Sequence, residues 1–97
     1  MSNERNKYTR VVADGLVRTG AGYLERVIFS ATGTVTAGVI SIADAVTETT
    51  PILFSATINA ATPVISVDVG CRFDTGLYVG YDGTIANVAT TVIWRPE

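Results

Sequence analysis

Along most of this chain the apolar positions recur with a period of two. In "PILFSATIN", Ile52, Phe54, Ala56 and Ile58 fall on one face, and Leu53, Ser55 and Thr57 on the other. "PVISVDV" sets Ile65, Val67 and Val69 opposite Ser66 and Asp68, and "RFDTGLYVGY" groups Phe73, Leu77, Val79 and Tyr81. "NVATTVIWR" sets Val88, Val92 and Trp94 opposite Ala89, Thr91 and Ile93. Successive side chains of a strand point to opposite faces, so this alternation predicts half-buried strands. The residue types agree, since Val, Thr, Ile and aromatics suit a pleated, half-buried surface.

Three further segments read as strands with a complication in each. "GLVRTGA" is a short first strand. "YLERVIFSA", residues 23–31, places Tyr23, Glu25, Val27 and Phe29 on one face and Leu24, Arg26 and Ile28 on the other. That phase puts charge on both faces, which predicts a bulge near Glu25 and Arg26. "TVTAGVISIAD", residues 34–44, reads as one strand kinked at Gly38. Pro51 and Pro63 sit at strand starts, where a missing N–H costs least. The "YDGT" run at 81–84 is a hairpin signal, because Asp-Gly tolerates the positive φ of a tight turn. Gly76 and Gly80 leave one face of the preceding strand bare of bulk, open to a neighbouring chain.

Strands at roughly ten-residue spacing, with turn-rich links and no helical stripe, predict an all-β fold. The expected architecture is an antiparallel β-sandwich or small jelly roll of about seven to eight strands. Residues 1–10 lack the alternation and read as a flexible polar N-terminal arm, and 11–97 as the single sandwich domain. The pattern assigns Phe54, Leu77 and Trp94 to the core. Leu53, Tyr78 and Ile93 fall on nominally outward positions and are candidates for an oligomer interface.

Composition sharpens that last expectation. The chain has 97 residues, is 47% hydrophobic and only 16% charged, against roughly 25% charged in an ordinary soluble domain. Burial against further chains compensates for the missing polar surface. A membrane span is not expected, because the apolar run "TAGVISIADAV" is cut by Asp44 and falls short of the roughly 18 residues a helix needs. The polar N-terminus carries no apolar segment typical of a signal peptide, so use without secretion is expected. The net charge of -2 is too mild to mark a nucleic-acid binder. Arg5, Lys7 and Arg10 nevertheless make the arm basic against an acidic body.

The same inventory narrows the chemistry. The chain has no histidine, which excludes a Ser-His-Asp triad, a Cys-His dyad and histidine metal sites. The single cysteine, Cys71, reads as a small buried hydrophobe. Glu25, Asp44, Asp68, Asp74 and Asp82 are the remaining catalytic option, as an acid–base pair, but no long loops stand ready to build a cleft around two of them. A calcium site at Asp74 or Asp82 lacks the dense D-x-D loop. No enzyme activity, cofactor or metal is expected. Tyr8, Tyr23, Tyr78, Tyr81 and Trp94 would offer stacking faces for a sugar if exposed, yet Tyr81 and Trp94 fall on the core phase.

"GAGYLERVIFSATGTVTAGVISIADA" and "FDTGLYVGYDGTIANVATTVIW" together resemble a pattern of small structural proteins of tailed bacteriophages: capsid decoration or cement proteins and short head- or tail-fibre domains. The resemblance covers about residues 15–95 and carries over no catalytic residue. It implies a virion protein on the capsid surface, made in the host cytoplasm, with a homotrimer and the major capsid protein as partners, and neither nucleic acid nor membrane. Arg5, Lys7, Tyr8 and Arg10 would then form a capsid-binding arm. The alternative it leaves open is a host-recognition module, a fibre tip binding a cell-surface glycan. A small carboxylate hydrolase is a more distant third.

Overall fold

The structure, a computed structural model, describes residues 7–47, 51–58, 64–82 and 85–96. Its strands are β1 (Lys7–Val11), β2 (Gly15–Thr19), β3 (Gly22–Thr36), β4 (Gly38–Ala43), β5 (Ile52–Ile58), β6 (Val64–Phe73), β7 (Gly76–Asp82) and β8 (Ala86–Pro96). They form two four-stranded antiparallel sheets: sheet A in the order β1-β8-β3-β6 and sheet B in the order β2-β7-β4-β5. Strands placed symmetrically about the middle of the chain pair with each other: β1 with β8, β2 with β7, β3 with β6 and β4 with β5. The chain is one folded-back ribbon wound alternately over two sheets. That winding is a jelly roll, a form of β-sandwich, and it lies within the predicted fold class.

The bulge expected near Glu25 is present. Register shifts between Leu24 and Arg26 against both β8 and β6. The shift resolves the mixed charge of this segment. Leu24, Val27 and Phe29 all turn inward and are buried, while Tyr23, Arg26 and Ile28 share the outer face. A second irregularity lies opposite, where Gly70 takes a φ of 64°, a left-handed conformation that glycine adopts at low cost.

Four sequence expectations differ from the structure, each for a physical reason. Residues 34–44 are not one strand: β3 ends at Thr36, and β4 begins at Gly38 in the other sheet. The corner is tight, since a Cβ on Gly38 would stand 2.5 Å from Ile85 Cβ and 2.9 Å from the Asp82 carbonyl. The strands flanking "YDGT" do not form a hairpin with each other. β7 lies in sheet B and β8 in sheet A, so the link crosses between layers; residues 83 and 84 themselves lie outside the described residues. Of all consecutive strands only β4 and β5 are neighbours in a sheet.

The third difference is at the N-terminus. Lys7, Tyr8, Thr9 and Arg10 belong to β1, paired in register with Trp94, Ile93, Val92 and Thr91. A strand with little apolar character is stable there because β8 supplies its hydrogen bonds, so the boundary of the sheet lies before Lys7 rather than after Arg10. Arg5 lies outside the described residues. The fourth is in β5. A register shift between Ile42 and Ala43 sets Phe54 opposite Ile42 but Ile52 opposite Ala43. Leu53 becomes the extra residue and packs against the core, while Ile52 is carried to the outer face, 54% exposed.

The core between the sheets joins Leu24, Val27, Phe29, Phe73, Val88 and Val92 of sheet A to Ile40, Ile42, Ile58, Leu77 and Val79 of sheet B. Phe29 and Phe54 stack across it with ring centroids 6.3 Å apart. Full burial of each such side chain contributes roughly 1.5–3 kcal/mol. One polar knot is buried with them. The Tyr81 hydroxyl donates to the carbonyl of Val88 at 2.9 Å or of Val11 at 3.1 Å and lies 2.7 Å from Thr90 Oγ1. It ties β7 to β1 and β8 across the layers and accounts for Thr90, which is fully buried.

Candidate functional surfaces

The carboxylates considered for catalysis are dispersed, and each that the structure partners has a structural role. Asp44 turns its side chain onto the β6–β7 link, where Oδ1 accepts from the backbone N–H groups of Asp74 (3.1 Å), Thr75 (2.7 Å) and Gly76 (3.2 Å). Burial raises its pKa, but these three donors together lower it further, so it lies below the ordinary carboxylate value. Asp14 accepts from Tyr81 N at 2.6 Å, beyond the last β2–β7 pair. Asp68 pairs with Arg26 at 2.6 Å, Asp74 with Arg72 at 3.0 Å and Glu25 with Arg95 at 3.3 Å. Among the described residues no three His, Cys, Asp or Glu side chains gather closely enough to hold a metal ion. Burial, with the nearby Asp44 charge, pushes the Cys71 thiol up, which suppresses the reactive thiolate.

Of the residues assigned to the core, Leu77 is fully buried and Trp94 is 8% exposed, while Phe54 is half-buried at the core margin. Trp94 Nε1 donates to Thr9 Oγ1 at 3.1 Å. The Arg18 guanidinium, which pattern reasoning left unassigned, stands 5.6 Å from the Trp94 ring centroid. The β2 bulge between Leu16 and Arg18 is responsible, because it sets Arg18 opposite the inward-facing Leu77. No local sequence signal marks that turn.

The residues proposed for an oligomer interface do not share a face. Ile93 lies on the outer side of sheet A and is only 9% exposed. Tyr78 lies on the outer side of sheet B beside Leu16 and Ala43. Leu53 turns toward the core. What does form a continuous surface is the outer side of sheet B. There Tyr78 and Gly80 of β7 pair with Ala43 and Ser41 of β4, and Ser41 pairs with Ser55 of β5. Leu16 and Ile52 border it, 46% and 54% exposed. Asp82, at the end of β7, is its one charged strand residue. Contrary to the bare face expected at the two glycines, Gly80 is buried and lines a pocket with Asp14, Ser41, Ile52, Tyr81 and Asp82, and Gly76 lies against the Ala45 and Arg18 carbonyls.

The outer side of sheet A is a different surface. A groove of about 580 Å³ runs over Ile93 and Ile28, walled by Tyr8 on one side and by Glu25, Arg26, Asp68, Val69 and Gly70 on the other. Arg26 also reaches Ser66 Oγ at 3.4 Å, and Arg95 lies over the Tyr23 ring, 4.8 Å from its centroid. Of the proposed arm, Lys7, Tyr8 and Arg10 are exposed along the β1 edge, with Tyr8 72% exposed. Comparison with protein-family models, with curated proteins and with solved structures finds no match to this chain.

Proposed function

We propose that this protein is a structural component of a virion, a homotrimeric decoration or cement protein bound to the outside of a phage capsid. The observation that carries the reading is the outer side of sheet B, where Leu16 and Ile52 stand exposed beside small uncharged strand residues and Asp82 is the one charged strand residue, at the margin. Such a surface gains little from hydration and is stabilised by contact with another chain. The low charged fraction points the same way. The phage assignment rests on the resemblance of the glycine-rich and Val/Thr strands.

The mechanism is thermodynamic. A protein that binds the assembled shell and not its dissociated subunits stabilises the shell by mass action. The β1 edge, with Lys7, Tyr8 and Arg10 exposed, supplies a basic contact for an acidic capsid surface. Sedimentation equilibrium at micromolar concentration tests self-association, and co-sedimentation with bare capsids tests the partner. The expected results are a species three times the 10.2 kDa chain and saturable capsid binding. A clean monomer that does not pellet with capsids overturns the proposal.

A further inference from the structure

We propose that the groove on the outer side of sheet A is a saccharide subsite, with the Tyr8 ring as its stacking face. Its volume of about 580 Å³ falls in the range of small-molecule sites, about 300–1,000 Å³. The floor is apolar, made by Ile93 and Ile28, and the wall is polar, made by Glu25, Arg26 and Asp68. A sugar ring has this same division, with C–H faces and a hydroxyl rim.

Three observations select this ligand class. The first is charge. Arg26 is paired with Asp68 and Arg95 with Glu25, so the wall is balanced. A phosphate or polyanion needs excess cation, and a bare cation needs carboxylates that are not already committed. A neutral ligand with many hydroxyls needs neither, and uses planar carboxylate and guanidinium groups held in place by each other as its acceptors and donors.

The second is the aromatic inventory. Tyr81 is tied into the buried knot, Trp94 is buried, Tyr23 is covered by Arg95 and Tyr78 is half-buried on the other sheet. Tyr8, at 72% exposure, is the ring presented beside an apolar floor. The third is backbone geometry. Two bulges fall at one level of the sheet, at Glu25 in β3 and around Gly70 in β6. Bulges re-aim side chains and recur beside functional sites; these two set the polar wall of the groove.

This site lies on the opposite sheet from the proposed association surface and does not depend on self-association; it shares Tyr8 with the proposed capsid contact, so capsid and saccharide exclude each other at that ring. The test is an amide-shift titration by NMR of the whole protein with maltohexaose, cellohexaose and hexa-N-acetylchitohexaose. A capped peptide of alternating Val and Thr serves as the control for strand-like binding. At least one sugar is expected to shift Tyr8, Arg26, Gly70 and Ile93 together. Tyr8→Ala is expected to weaken that binding about 3- to 10-fold, and Tyr8→Phe to restore it. Ile52→Lys, on the other sheet, should leave it unchanged. Absence of groove shifts with all three sugars, equal shifts with the peptide, or indifference to Tyr8→Ala overturns the proposal. Melting curves of the Tyr8 variants separate loss of a stacking face from loss of β1.

Discussion

The two outer sides of the sandwich are cut from the same wound ribbon, yet they meet solvent differently. Sheet A carries Arg10, Tyr23, Glu25, Arg26, Asp68, Arg72 and Arg95 outward, and its charges pair across strands, as in Arg26–Asp68 and Arg95–Glu25. Sheet B carries Leu16, Val39, Ser41, Ala43, Tyr78 and Gly80 in the equivalent rows. Sheet A meets water with paired charges. Sheet B has no charged strand residue over its centre, and its pocket is bordered by Asp14 and Asp82 at one end. Both sides cover one core, but their outward side chains point away from each other, so a surface substitution on one is not in contact with the other.

The largest effect should come from the layer they share. Trp94 lies under sheet A and meets Arg18 from sheet B. Trp94→Ala is expected to cost about 3–5 kcal/mol, a large part of the stability of a small domain. Thermal melting checks this, and a variant that melts within a degree or two of the parent would remove Trp94 from the core.

Next comes the end of the sandwich where loops from both sheets meet. Asp44→Ala leaves three backbone donors without their carboxylate and is expected to cost about 1–3 kcal/mol. Because the Asp44 pKa is lowered in the fold, its contribution is present above the ordinary Asp value of about 3.9 and is lost as pH falls through the lower folded value. Denaturation followed from pH 6 to pH 2 should therefore show a shallower acid loss in Asp44→Asn than in the parent. Equal slopes would mean that the carboxylate charge is irrelevant to the β6–β7 link.

The comparison between the faces is sharpened by a matched pair of substitutions. Ile52 on sheet B and Val64 on sheet A are 54% and 62% exposed. Ile52→Lys should weaken self-association about tenfold or more, since a charge is then desolvated at the contact. Val64→Lys should leave it unchanged. Sedimentation equilibrium distinguishes them, and the reverse ranking would move the association surface to sheet A. The smallest effect belongs to the exposed ion pairs. Asp68→Ala is expected to cost about 0–1 kcal/mol, shrinking with added salt; a larger, salt-insensitive loss in a chemical denaturation curve would mean that the pair is holding the bulge.

Much of this architecture is legible in the sequence. Alternation marks the stretches that became β5 to β8, and the clash of charge with phase at Glu25 and Arg26 marks the bulge. The candidate surfaces are less legible. Tyr8 stands out in the sequence as an arm residue and a stacking candidate, but the groove it borders does not, because β1 has no apolar period and its place depends on the open edge of β8, some 80 residues away along the chain. Ile52 and Leu53 exchanged roles because one extra residue inverts the phase of everything before it, and nothing local in "PILF" records that.

What the chain determined by itself is the strand content, the two-faced character of each strand and the identity of most of the core, because these follow from side-chain chemistry at a period of two. What only the tertiary structure decided is the pairing. An Asp-Gly turn favours a hairpin locally, yet β7 and β8 went to opposite layers, since each buries its apolar face fully only when wound against the other sheet. Pairing energy comes from partners distant in sequence, and no local pattern specifies them. The contrast between a face of paired charges and a face of small uncharged strand residues is a product of that winding.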